Sequence, residues 1–198
     1  MTIRHQNPDL RDASGNRIVP RVLLETQTVV SPTGTVTLTL PATPYNRFQI
    51  EIDQLSSVAN NVDLQSRIGV NGTFPVGASD YTWLYQAHAA NDNGSLYEDI
   101  SDDSIIMSGG SGNANFGSAS NSTFNYSCWL YPGTDATDFP RIGFEAAGWS
   151  DTSVLARIDG FGMYKGQTTL QFGRIENITF SMTSDNIERG TFRLYGTE

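Results

Sequence analysis

Cysteine is almost missing from this chain. Cys128 stands alone, so no intrachain disulfide can form and no cysteine-based zinc site can be built. Histidine is nearly as rare, with only His5 and His88, and neither an H-E-x-x-H helix nor a G-x-S-x-G elbow is present. Basic side chains are few: 12 Lys plus Arg face 21 Asp plus Glu, a formal net charge of −9. Nucleic-acid binders carry a basic footprint, so a nucleic-acid partner is not expected. Long apolar runs are missing too. None approaches the ~20 residues needed to cross a bilayer, and Met1-Thr-Ile-Arg-His opens no apolar leader, so neither a membrane partner nor secretory export is expected.

What is present is strand grammar. Apolar residues make up 38% of the 198 and charged ones 17%, which suits a folded domain and not a charge-rich disordered chain. Val36, Leu38 and Leu40 alternate with threonines, and Phe48, Ile50 and Ile52 alternate with Gln49, Glu51 and Asp53. The same alternation marks strands over Leu64–Val70, Tyr81–Gln86, Ser104–Met107, Phe124–Tyr131, Arg141–Ala147 and Ser153–Asp159. Phe161–Tyr164, Leu170–Gly173, Asn177–Met182 and Thr191–Tyr195 complete the set, and Asp185–Arg189 reads as a turn. Each run has one apolar and one polar face, the mark of antiparallel sheets packed face to face. No apolar period of 3.6 residues persists over three turns. The fold expected is an all-β, jelly-roll-like antiparallel sandwich over residues 21–198. Residues 1–20, with Pro8, Gly15 and Pro20, read as an extended N-terminal arm for anchoring or assembly.

Few residues carry chemistry. Cys128 shares the parity of Phe124, Tyr126 and Leu130 and reads as a core thiol. Tyr81, Trp83 and Tyr85 share one strand face and read as core. Trp129 and Tyr131 lie on the opposite parity from Cys128, which places them either in the core or between subunits, and an outward aromatic row can also stack on sugar rings. Ser108–Ser122, rich in Gly, Ser and Asn, reads as a long surface loop, either a spacer or a ligand contact through Asn113 and Asn115. The acidic stretch Asn91–Asp103 lacks EF-hand spacing and reads as a solvated loop without metal. Sequons at Asn71, Asn93, Asn121, Asn125 and Asn177 have no meaning off a secretory route. A glycosidase-like carboxylate pair could arise only through folding. No catalytic residue and no cofactor are assigned.

Three segments, in order, carry a resemblance. FQIEIDQLSSVANNVDLQSRIGVNGTF (Phe48–Phe74), GASDYTW (Gly77–Trp83) and NITFSMTSDNIERGTFRLYG (Asn177–Gly196) resemble a family of phage tail-fibre and virion-surface jelly-roll domains. In that family an Ile-rich strand leads through a VDLxxRxGVxGTF hairpin and an SDYxW strand to a closing GxFRLYG. Asn71-Gly72 supplies a favoured type I′ hairpin turn for the first segment. The resemblance implies a non-enzymatic structural protein, a homotrimer displayed on the virion surface and made in the host cytoplasm. Within it, the first expectation is a small tail-fibre or receptor-binding module touching host-surface polysaccharide. The alternative is a trimeric capsid decoration (cement) protein, with the arm binding other virion proteins.

Overall fold

In a computed structural model the described residues are 21–42, 45–70, 72–90, 94–109, 115–117, 122–133, 139–166 and 175–197. The expected N-terminal arm, Asn113 and the expected strand Leu170–Gly173 lie outside them. Among the described residues there is no helix, and twelve strands form two antiparallel sheets. They are β1 (Val22–Val29), β2 (Val36–Thr39), β3 (Arg47–Ser57), β4 (Leu64–Val70), β5 (Tyr81–Ala89) and β6 (Ser95–Asp102). β7 (Ile105–Ile106), β8 (Phe124–Tyr131), β9 (Arg141–Trp149), β10 (Leu155–Tyr164), β11 (Ile175–Met182) and β12 (Ile187–Thr197) follow. The large sheet runs β1-β12-β3-β8-β9-β10-β5-β6 and the small sheet β2-β11-β4-β7. The expected jelly-roll-like sandwich is the fold observed.

Alternation builds the core. Along β3 the side chains of Phe48, Ile50 and Ile52 are buried, and their partners across the ladder are Leu130, Cys128 and Tyr126 of β8. On the other side of β3, Leu194 and Phe192 of β12 face Ile50 and Ile52. The small sheet answers with Leu38, Ile68, Ile178 and Phe180, and Phe180 meets Phe192 across the gap with ring centroids 5.6 Å apart. Cys128 is wholly buried, and desolvation pushes its thiol far above the ordinary range, so it behaves as a small core side chain. Gly160 sits on the inner face because a Cβ there would come within 2.3 Å of the Phe144 ring and 2.5 Å of Tyr85 Cβ.

Four expectations change. Asn91–Asp103 is not all loop: Ser95–Asp102 is the edge strand β6, paired to β5. Its acids mask the strand pattern, and charged side chains are a usual way to blunt a sheet edge. Asp185–Arg189 is a turn only in its first half, since Ile187 already pairs with Ser57 and β12 runs through Arg189 with irregular register. Where a hairpin of two paired strands is expected, Val70 and Thr73 close a single rung with bonds of 2.9 and 3.1 Å, and β4 finds its ladder partners in β11 and β7 instead. Finally, the glycine-rich stretch is not all surface. Phe116, its only large apolar residue, is buried 4.8 Å from the Phe124 ring and carries Asn115 and Gly117 inward with it.

Candidate functional site

The outer face of the large sheet gathers the chemistry. Register partners place Tyr195, Gln49, Trp129, Gly143, Phe161, Leu84 and Glu98 in one row across seven strands. The next outward row reads Arg193, Glu51, Ser127, Glu145, Asp159, Gln86 and Leu96. One row is thus aromatic and apolar at its centre, and the other is rich in carboxylates.

Trp129 faces outward and is 38% exposed, because Cys128 and Leu130 take the buried parity of β8. Phe161 on β10 is equally exposed. Between them stands Gly143, where an added Cβ would meet nothing within 4 Å. Adjacent strands are about 4.8 Å apart, so the Trp129 and Phe161 backbones are separated by about 10 Å with a bare glycine between. Two residues along β8, Tyr131 lies under two guanidinium groups, Arg47 at 5.6 Å and Arg141 at 5.3 Å from its ring centroid. Arg47, Gln49, Trp129, Tyr131 and Thr197 line a hollow of about 210 Å³ there. Such cation–π contacts hold the phenol ring in place while leaving its edge open.

Beside this hollow runs a groove of about 410 Å³ lined by Glu51, Asp53, Asn125, Ser127, Glu145, Ala147 and Arg157. Ser127 and Ala147 give it a low floor, and the longer side chains give it walls. Arg21 contacts Glu51 at 2.5 Å, Arg157 contacts Asp159 at 2.9 Å, and Arg193 pairs with Asp53. Arg21 also lies 4.4 Å over the Tyr195 ring, and partial burial together with Glu51 raises the Tyr195 phenol above its ordinary range, so it stays a neutral donor. Glu51 and Glu145 face each other across Ser127, about 10 Å apart at the backbone. Glu145 is exposed and Glu51 is engaged by Arg21, so neither sits in the apolar pocket that keeps a glycosidase acid protonated. The pattern offers alternating acceptors and donors beside an aromatic shelf.

No family model, no curated protein and no solved structure matches this chain.

The structure brings Trp129 and Tyr131 to this face and leaves Asn115 far from it. Asn115 is buried at one end of the sandwich, where its amide donates to Asn61 Oδ1. Tyr81 and Tyr85 are buried as expected, while Trp83 is half-buried, stacked 5.5 Å from Tyr85 and hydrogen-bonded through Nε1 to Asp102 at 2.9 Å. Among the described residues no cluster of three or more His, Cys, Asp or Glu is arranged to hold a metal, and no helix is long and apolar enough to cross a membrane. Phe161, Glu145, Arg157 and Asp159 were not visible as site residues in the sequence. The signal for three of them is the shared odd parity of β10, Arg157-Asp159-Phe161, opposite buried Ala156 and Ile158, and for Glu145 the outward parity of β9 between buried Phe144 and Ala146.

Proposed function

We propose that this chain is a non-enzymatic binding module on the surface of a bacteriophage particle, a small trimeric tail-fibre or receptor-binding unit that contacts host-surface glycans. The observation that carries the glycan reading is the outer face of the large sheet. Trp129 and Phe161 flank the bare Gly143, and a groove of carboxylates, an asparagine and the Arg157 guanidinium runs alongside. Sugars present apolar ring faces edged by hydroxyls, so they suit a shelf of aromatic carbon bordered by hydrogen-bonding groups. The phage setting rests on the resemblance of the GVNGTF, SDYTW and GTFRLYG segments. The test is calorimetric titration of the purified protein with polysaccharide extracted from host cells. Saturable binding that Trp129→Ala weakens is expected, and no heat at high protein concentration would overturn the glycan reading.

A second observation bears on assembly. Leu84, Leu96 and Ile100, at the β5–β6 end of the same outer face, are 46%, 64% and 76% exposed. Exposed aliphatic side chains on an edge strand suit a contact between copies of the chain, which supports the trimer. The same contact would serve a capsid decoration (cement) protein. Antibody labelling of particles separates the two, with tail-tip labelling expected and head labelling favouring the decoration reading.

A further inference from the structure

The aromatic row on the outer face of the large sheet is bordered by two rows of opposite charge. On one side stand Glu51 and Glu145, flanking Ser127. On the other side Tyr131 pairs with Arg141 of β9. Arg47 of β3, paired with Thr197 of β12, stands on the second flank of Tyr131. The Arg47 and Arg141 backbones are thus about 10 Å apart, with one phenol between them. Both guanidinium groups lie over that ring, at 5.6 and 5.3 Å from its centroid. Trp129 is two residues away along β8, about 7 Å, on the same face.

One cation is enough to cover a tyrosine face, and two brought to the same ring repel each other. The ion pairs among the described residues engage Arg21, Arg67, Arg157 and Arg193, and none engages Arg47, which is exposed. The planar fork of Arg47 donors is therefore open to the hollow of about 210 Å³ that it lines with Gln49, Trp129 and Thr197. A chain of net charge −9 repels an acidic polymer over most of its surface, and at this row the face turns positive.

We propose that the glycan held on this face is acidic. Arg47 and Arg141 hold its anionic group, a carboxylate or a phosphate, over Tyr131, while the sugar ring that carries it stacks on Trp129. The inference rests on the glycan reading above and adds to it the charge and the direction of the ligand. Guanidinium forks match the oxygens of either anion bidentately. Glu51 and Glu145 repel an anion from the opposite border and accept hydrogen bonds from hydroxyls there, so the acid end faces the arginine row.

The test titrates the whole protein with the polysaccharide extracted from host cells in three forms: native, with its carboxyl groups reduced to alcohols, and with its phosphate removed by hydrofluoric acid. The native polymer is expected to bind, and one of the two treatments to weaken it by about tenfold or more, which names the anion. Arg47→Gln and Arg141→Gln should each cost about tenfold with the native polymer and little with the neutralised one. Arg47→Lys keeps the charge and should recover part of the loss. Raising NaCl from about 50 to about 500 mM should weaken binding to the wild-type protein several-fold and to Arg47→Gln much less. Lost support for the Tyr131 ring alone would not give that salt response. Binding that survives both treatments unchanged, or both arginine-to-glutamine variants unchanged, would overturn the acidic subsite and leave the glycan reading standing. No binding of any form would overturn both.

Discussion

On the outside of the small sheet the ladder pairs Thr37 with Thr179 and Thr179 with Arg67, while Gln65 pairs with Ser181. On the outside of the large sheet the equivalent positions hold Trp129, Phe161, Leu84, Glu51, Glu145 and Asp159. None of the large exposed hydrophobic side chains among the described residues lies on β2, β4, β7 or β11. The inner faces show no such contrast, since both are lined by Phe, Ile and Leu. Burial alone needs only one good face per sheet, and short polar side chains such as Thr, Ser and Gln suffice for a merely wet second face. An exposed Trp–Gly–Phe row beside a carboxylate groove exceeds that need. The difference is the reason the proposed glycan contact is assigned to the large sheet.

If the sheets are equal partners inside, their facing phenylalanines should cost the same to remove. Phe180 of β11 and Phe192 of β12 are both wholly buried and in ring contact. Truncating either to Ala is expected to destabilise the fold by about 3–5 kcal/mol, read by urea unfolding. The double variant should cost less than the sum, because the two residues share one cavity. A loss confined to one of them would break the symmetry of the core.

The inner faces were legible because alternation reports burial directly. Leu64–Val70 and Phe124–Tyr131 could be written with their observed bounds from the sequence, and Cys128 placed on its buried parity. Two kinds of feature were not legible. The edge strand β6 was hidden because an edge needs only one partner and tolerates acids, so SLYEDISD reads as loop while Tyr97 in fact stacks 5.1 Å from Tyr85. The site was hidden because it is assembled by register. Trp129, Gly143 and Phe161 lie on three strands, and nothing local ties a glycine in β9 to two aromatics that flank it. Asn115 reads in the sequence as a surface contact, yet it is a buried side chain carried inward by Phe116.

One carboxyl at the start of the small sheet gives the fold a pH dependence. Asp63, one residue before β4, is largely buried beside Gly109, whose hypothetical Cβ would lie 2.0 Å from Asp63 Oδ1. Desolvation raises its pKa from 3.8 to about 6. The phenols of Tyr85 and Tyr126 are the titratable groups that sense it. A carboxyl whose folded pKa is raised contributes its full stability below pH ~4 and loses that contribution as pH rises through ~6. A shift of two units corresponds to at most ~3 kcal/mol, and partial solvent contact reduces this to about 1–2 kcal/mol. Asp63→Asn should therefore stabilise the protein at pH 7.5 by about that amount and leave it unchanged at pH 4. Urea midpoints of both proteins at the two pH values measure it, and parallel pH profiles would remove Asp63 as the cause.

The binding asymmetry has its own test on the outer faces. Trp129→Ala is expected to weaken glycan binding by about tenfold, the scale of one lost aromatic contact, with little change in unfolding because the ring is exposed. Gly143→Leu should act in the same direction by filling the space between Trp129 and Phe161, where a Cβ meets no obstacle. Unaltered binding in both variants would move the site off this row.

The smallest effect is expected where the small sheet faces outward. Thr179 is half-buried on β11, between Thr37 and Arg67, and its hydroxyl donates to Arg67 O at a long 3.4 Å. Valine matches its shape and its preference for strands, and the lost hydrogen bond is long and bordered by solvent. Thr179→Val should therefore change stability by no more than about 0.5 kcal/mol in either direction. It should leave glycan affinity within experimental error of the wild-type protein. Paired with Trp129→Ala in one titration series, it controls for general damage to the sandwich. A loss of binding in Thr179→Val as large as that in Trp129→Ala would mean that both outer faces engage the ligand, and the division of labour between the sheets would fail.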